Sequence, residues 1–301
     1  MDTLQFGVFL SPRAADIGRL REHVQVAEAA GFDYVSFQDH PYVPDFLDPF
    51  ALIGTLIGQT SRLRFMTNVA NLPLRPAQML AKTSASLDVL SGGRFELGLG
   101  AGRAWDQIAG LGGPRRSPRE AVAAVSEAID VLHALWLPGR TITVPGQYYP
   151  VTAATGPAPA HRIGIWLGAV GPQMLDLTGR QADGWIAPLA TGYETKPAAQ
   201  DRIDSAARAA GRDPASIRRV IQLVGTVTDT QHTTSRPRSG PGAQPIRTTP
   251  EIWAKIIAEF AADQRFDTVN LILEQETSEQ LQLFAEVIPL ARTATSAASV
   301  G

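Results

Sequence analysis

The sequence predicts one closed (β/α)8 TIM barrel, and three observations carry that prediction. Strand-like runs alternate with helix-like runs almost from end to end. The alternation counts eight units within 301 residues, and helix caps, glycines and prolines fall at the junctions between runs. At about 100–200 residues per domain the length alone leaves two domains open. Eight consecutive units favour a single barrel over residues 1–292, with the small, polar stretch 293–301 expected as a frayed tail.

Leu4, Phe6, Val8 and Leu10 alternate as strand one. Asp16 is placed to cap a helix whose apolar positions Ile17, Leu20, Val24 and Ala27 keep the helical period until Gly31. Strand two, residues 34–38, ends at Asp39-His40-Pro41, and Asp48-Pro49 opens helix two with a cap and a first-turn proline. Residues 63–70 read as strand three, 77–90 as helix three stopped by Gly92-Gly93, and 94–102 as strand four. Ser117-Pro118-Arg119-Glu120 stands in capping-box order before helix four, whose apolar face is Val122, Val125, Ile129, Leu132 and Trp136. The alternation then pauses. Residues 141–151, with Pro145-Gly146 between two β-rich runs, read as an excursion hairpin, and 155–159 as a surface loop. It resumes with strands at 163–167, 184–188, 220–228 and 268–273 and helices at 173–180, 196–210, 252–262 and 278–290. The polar segment 229–249 is a long loop after strand seven, and loops beyond about 12–15 residues are commonly lids or disordered.

Composition narrows the chemistry. With no cysteine there are no disulfides, thiolate nucleophiles, Cys-ligated zinc or iron–sulfur clusters, so redox chemistry has to come from a bound organic cofactor. A net charge of −2 supplies no basic field for phosphate backbones and argues against a nucleic-acid partner. The N-terminus enters a strand pattern without a basic flank or a cleavage site. The longest uncharged helical stretch, 49–61, falls short of the roughly 20 residues that span a bilayer. A soluble cytoplasmic protein without a membrane partner is the expectation.

Barrels draw catalytic groups from the C-terminal ends of their strands. That rule selects Ser11-Pro12, Asp39-His40, residues 68–71, 98–103 and 168–171, and the loop after strand seven. Of five histidines, His40 alone ends a strand beside a carboxylate, where an imidazole can be held in one tautomer and exchange protons near neutral pH; the competing reading is a capped turn. His23 and His133 on helices, and His161 and His232 in loops, read as solvated or interhelical. No histidine pair has metal-ligand spacing, so no metal site is expected. Gly98-Leu99-Gly100-Ala101-Gly102 either lets backbone amides approach a planar ring or phosphate or simply makes a tight turn. Gly168-Ala169-Val170-Gly171-Pro172 stands directly before a helix, where free N–H groups favour an anion. Arg115 and Arg116 read as a solvated basic loop. No barrel strand carries the lysine that a Schiff-base aldolase would need.

Several segments together resemble the bacterial luciferase-like monooxygenase superfamily: Phe32-Asp33-Tyr34 with Gln38-Asp39-His40, Leu74-Arg75-Pro76-Ala77-Gln78, Leu90-Ser91-Gly92-Gly93-Arg94-Phe95 running into Leu97 to Gly102, Gly146-Gln147-Tyr148-Tyr149, Ile165-Trp166-Leu167-Gly168 and Ala182-Asp183-Gly184-Trp185. They keep the family's order and spacing from residue 4 to near 290. The resemblance implies a barrel binding FMN or the deazaflavin coenzyme F420 across its C-terminal mouth. With F420 the family transfers hydride; with reduced FMN it hydroxylates using oxygen. By resemblance, Asp39 and His40 lie at the ring and the reacting substrate, His40 is the acid–base group, and Asp39 fixes its imidazole. A non-proline cis bond is implied at Asn68-Val69, with the ring resting on Asn68, Val69 and Ala70. Ala101, Gly102, Gly168, Ala169, Val170 and Gly171 supply cofactor contacts.

The chain departs from the family's sugar-phosphate dehydrogenases at Arg103, where they carry an acidic proton donor. A guanidinium cannot replace that acid and instead suits an anionic substrate or a cofactor phosphate. One of Arg236, Arg238 and Arg247 is expected at a cofactor phosphate, and Trp105 or Trp185 at an apolar substrate pocket. The Asp39-His40 pair favours F420 and a small-molecule substrate. An FMN-dependent monooxygenase is the alternative, followed by a barrel that binds flavin without turnover. A homodimer is expected, with Leu72-Pro73-Leu74 as a candidate contact.

Overall fold

The computed structural model describes residues 4–189, 191–192, 195–232 and 245–298. In chain order the first half contains β1 (Gln5–Leu10), α1 (Ile17–Ala29), β2 (Tyr34–Phe37), α2 (Pro49–Leu56), β3 (Arg64–Thr67), β4 (Ala70–Asn71), α3 (Ala77–Ser91), β5 (Phe95–Gly100), α4 (Trp105–Gly110) and α5 (Pro118–Leu135). The second half contains β6 (Thr141–Val144), β7 (Val151–Thr155), β8 (Ile165–Gly168), α6 (Pro172–Gln181), β9 (Gly184–Ile186), α7 (Lys196–Ala209), β10 (Arg218–Val227), β11 (Ile246–Thr248), α8 (Pro250–Gln264), β12 (Thr268–Leu273) and α9 (Ser278–Ala298).

Eight parallel strands, β1, β2, β3, β5, β8, β9, β10 and β12, close into a barrel, with the β9–β10 pairing as the final seam. Strand periodicity sends alternate side chains to opposite sides of this ring. Phe6, Val8, Val35, Phe37, Phe65, Leu97, Leu167, Leu223 and Leu271 join the main core beneath the helices, whereas Tyr34, Met66, Trp166, Ile186 and Val220 form a separate cluster inside the bore. Tyr34 and Trp166 come from non-adjacent strands and meet edge to face across the bore with centroids 6.3 Å apart. The bore is a packed floor, as is usual for this architecture.

The helix signals work where their partners are local. Asp48 Oδ1 accepts the N–H groups of Phe50 and Ala51 at 3.0 Å, and Ser117 with Glu120 forms the complete capping box. Gly92 stops α3 at φ 67°, a left-handed conformation that glycine adopts at little cost. On α5, Val125, Ile129 and Leu132 are fully buried, each adding about 1.5–3 kcal/mol of apolar burial, while Val122 is only half-buried. Trp136 donates its indole N–H to Ala81 O at 3.0 Å, tying α5 to α3. The β6–β7 hairpin hangs on α5 as well: Glu127 accepts the N–H groups of Gln147 and Tyr148 at 2.8 Å.

Several elements differ from the sequence reading. Asp16 caps nothing with its side chain, because it pairs with Arg19 and sits in a 3-10 turn, Ala14–Asp16. Strand three is broken into β3 and β4 around a cis Asn68-Val69 bond, and β4 resumes pairing with β5. The short helix α4 has no counterpart in the sequence reading. The return strand of the hairpin runs to Thr155, into the expected surface loop. Part of the long loop after strand seven is β11, which pairs with β10. Helix α9 continues through Pro289 to Ala298, past the point where composition suggests a tail. Among the described residues no helix is long and apolar enough to cross a membrane.

Candidate active site at the barrel mouth

The corner after β2 is organised by Asp39. Its carboxylate, 1% exposed, accepts Arg75 Nε at 2.6 Å, Arg75 Nη2 at 2.8 Å and the Asn71 backbone N–H at 2.8 Å. Arg75 also reaches Asp48 at 2.5 Å, and its guanidinium lies 4.5 Å from the Phe50 ring centroid. Burial opposes the charge on Arg75, but its hydrogen bonds and ion pairs to Asp39 and Asp48 outweigh that and raise its pKa. Asp39 thus locks β4 and the cap of α2 to the end of β2. It makes no hydrogen bond to His40, which corrects the expectation that Asp39 fixes the imidazole; a bidentate guanidinium claims the carboxylate more strongly than a ring N–H does.

His40 finds a different partner. Its Nδ1 lies 2.8 Å from the Tyr42 hydroxyl, with the rings 5.4 Å apart. Burial lowers the imidazole pKa, partly countered by the charge of Asp39, so the ring is neutral near pH 7. Burial and then Asp39 raise the pKa of Tyr42, while Arg103 pulls it down, which puts Arg103 within electrostatic reach of this pair. Arg103 is exposed and forms no ion pair among the described residues.

Beside this corner the Asn68-Val69 bulge meets two glycine edges. Asn68 Nδ2 donates to Gln222 Oε1 at 3.0 Å, and Gln222 Nε2 donates to Ala187 O at 3.1 Å, joining β3, β10 and the end of β9. Val69 stands between Gly100 and Gly168: a Cβ on Gly100 would fall 2.6 Å from Val69 Cγ2, and one on Gly168 would meet only Val69, at 3.4 Å. Ala70 is fully buried in β4. Gly102 has φ 93° and lies against Pro73 and the Trp105 ring, with Ala101 half-buried before it. Ala169 is buried and its carbonyl accepts the Trp185 indole N–H at 3.0 Å, whereas Val170 is 58% exposed. Gly171 N-caps α6, leaving that helix's first amides at the mouth.

The structure therefore gathers residues 68–71, 98–102 and 168–171 around Val69, with Asp39 and His40 at the adjoining corner. It leaves other expected residues out. Trp185 is 1% exposed and stacks on Phe266 in the outer core, so it lines no pocket; Trp105, half-buried over Gly102, is the tryptophan at the mouth. Arg247 is engaged by Glu274 at 2.8 and 2.5 Å, and Arg236 and Arg238 lie outside the described residues. Leu72 and Pro73 are buried within the chain itself. Arg115 pairs with Asp106, and Arg116 is not merely solvated, since it stacks on Tyr148 and Tyr149.

His161 is likewise no simple solvated side chain: Nδ1 lies 2.5 Å from Asp88 and Nε2 3.6 Å from Glu96. His23 is buried on α1, His133 sits beside Trp136, and His232 bonds Thr230. Sequence reasoning missed Tyr42 and Gln222. A polar residue interrupting the apolar run of β10 was the available signal for Gln222. It also missed Glu276, whose carboxylate accepts the Ser11 hydroxyl at 2.6 Å at the ends of β12 and β1.

Comparison with known proteins gives a consistent picture. The profile of a family described as luciferase-like monooxygenase matches residues 4–286. An F420-dependent hydroxymycolic acid dehydrogenase of Mycobacterium tuberculosis is 34% identical over 74% of this chain and 63% of its own length. An F420-dependent glucose-6-phosphate dehydrogenase of Nakamurella multipartita is 31% identical over 68% of this chain and 63% of its own. The chain thus matches less than two thirds of the length of these relatives. An F420-dependent secondary alcohol dehydrogenase solved with an F420-acetone adduct superposes with a TM-score of 0.83 at 21% identity, over 96% of this chain and 99% of that one, a likeness of fold.

Proposed function

This chain belongs to the luciferase-like monooxygenase family, and from that premise we propose that it is an oxidoreductase using coenzyme F420 to exchange hydride with a small organic substrate at the barrel mouth. The observation that carries the reading is the convergence of Val69 with the bare edges of Gly100 and Gly168 beside the His40 corner. The residues fit a flat polycyclic ring with a phosphate tail. Gly168 presents no side chain beside Val69, and the N-terminus of α6 carries no side-chain cap, which suits an anion.

In this reading Asn68, Val69 and Ala70 support one face of the ring, while Ala101, Gly102, Gly168 and Ala169 border it. Val170 and Gly171 lead the amides of α6 to the phosphate. The deazaflavin, when bound, supplies the hydride-accepting and hydride-donating centre. His40 exchanges the accompanying proton with a substrate oxygen, Arg103 holds an anionic group of substrate or cofactor, and Trp105 walls the pocket. Asp39 acts from behind, keeping the corner rigid through Arg75. The enzyme would be cytoplasmic and homodimeric, which light scattering checks for the assembly.

The decisive experiment is expression in a host that makes both F420 and FMN, followed by absorbance and mass analysis of the copurified cofactor. F420, together with anaerobic turnover of reduced F420, supports the proposal. FMN with oxygen consumption on reduction replaces it by the FMN-dependent monooxygenase reading. Within the F420 reading, His40→Ala lowers turnover by about 100-fold or more while cofactor still binds; unchanged turnover removes His40 from the chemistry.

A further inference from the structure

We propose that Tyr42 is the positioning residue that sets the tautomer of His40, donating its phenolic hydrogen to Nδ1 so that the neutral imidazole carries its own proton on Nε2. The carboxylate next to His40 cannot do this, because Arg75 and the Asn71 amide already claim Asp39. The backbone brings Tyr42 to the ring instead. Val43 N–H donates to His40 O at 2.9 Å, closing a four-residue turn with Pro41 in its second position, where proline is pre-set for the bend. The turn folds the phenol back onto the imidazole at 2.8 Å.

A phenol can donate or accept, and the proposed direction is the one that gives the Tyr42 hydrogen an acceptor within the protein. Burial keeps the Tyr42 phenol protonated and His40 neutral. A neutral imidazole has one lone pair on a ring nitrogen, and the phenol has one hydrogen to give. Among the described residues Nδ1 is the acceptor within reach of that hydroxyl, and Nε2 has no partner. A donated O–H therefore fills the lone pair at Nδ1 and leaves N–H at Nε2. In the hydride-transfer reading, on which this consequence rests, Nε2–H is the donor presented to a substrate oxygen; the tautomer itself does not depend on that reading.

The test needs no substrate, so its outcome is separable from that of the proposed function. The protein is labelled with ring-15N histidine and studied by long-range proton–nitrogen correlation at pH 8, with His40 assigned by the signal lost in His40→Gln. The expected result is an Nε2–H pattern for His40 in the wild type, changing in Tyr42→Phe to a mixture with the Nδ1 resonance moved towards the N–H position, while the other four histidines stay put. An Nδ1–H pattern in the wild type, or a pattern unaltered in a folded Tyr42→Phe, overturns the assignment. If Tyr42→Phe does not fold, an Nδ1–H pattern in the wild type still overturns the assignment.

Discussion

Asp39 and Arg75 form a two-pronged pair that holds three segments of the barrel mouth together, 36 residues apart in sequence. With Asp39 1% exposed, deleting Arg75 strands a buried carboxylate, whereas Arg75 without Asp39 keeps Asp48 as a partner. Arg75→Met should cost about 3–5 kcal/mol of folding stability, and Asp39→Asn less, because Asp48 still pairs the guanidinium. Urea denaturation measures this, and a loss below about 1 kcal/mol would show the pair to be dispensable.

His161 gives a pH dependence of definite sign. The Glu96 carboxylate 3.6 Å from one ring nitrogen, with Asp88 on the other, raises its pKa against the effect of burial. A raised folded pKa means the native state holds the proton more tightly, so the stabilisation is complete below the unfolded value of about 6.5 and fades as pH rises through the folded pKa. Denaturation midpoints should therefore fall above pH 6.5 in the wild type relative to His161→Gln. A constant difference between the two proteins across that range would contradict the assignment.

Two glycine-to-alanine changes should move in opposite directions. A Cβ on Gly98 would lie 1.8 Å from the Thr67 carbonyl oxygen, a backbone atom that cannot step aside, so Gly98→Ala should lower the melting temperature or prevent folding. Gly54 sits inside α2 with only Leu87 nearby, at 3.6 Å, so Gly54→Ala should stabilise by about 1 kcal/mol. Calorimetry of both decides whether the barrel wall or helix propensity dominates at each position.

Arg103 is an exposed cation whose charge pulls the Tyr42 pKa down. If it holds an anionic ligand group, Arg103→Gln should weaken that ligand by about 10-fold or more, the value of one hydrogen bond to a charged partner. Titration of cofactor and substrate separately shows which of the two is affected, and unchanged affinity for both would release Arg103 from the site.

The barrel was legible because its signals are local. Alternation in Leu4, Phe6, Val8 and Leu10, the cap at Asp48 and the box at Ser117 each involve neighbours within a few positions, and the strand at residues 268–273 was read to its ends. The break at Asn68-Val69 lay hidden in a continuous β-rich run, and only the resemblance pointed to it. Helix α4 follows Ala104, which offers no side-chain cap, so nothing local announced it. Asp39 and His161 were misjudged for one reason: their partners, Arg75, Asp88 and Glu96, arrive from distant segments, and proximity in sequence offered His40 or solvent instead. The glycines around Val69 were legible as a pattern, but two readings fitted it until the fold set them side by side.

Tyr34 and Trp166 close the bore from below. A vessel stoppered at one end has a single doorway, so in the proposed reading cofactor and substrate would share one entrance, the C-terminal mouth.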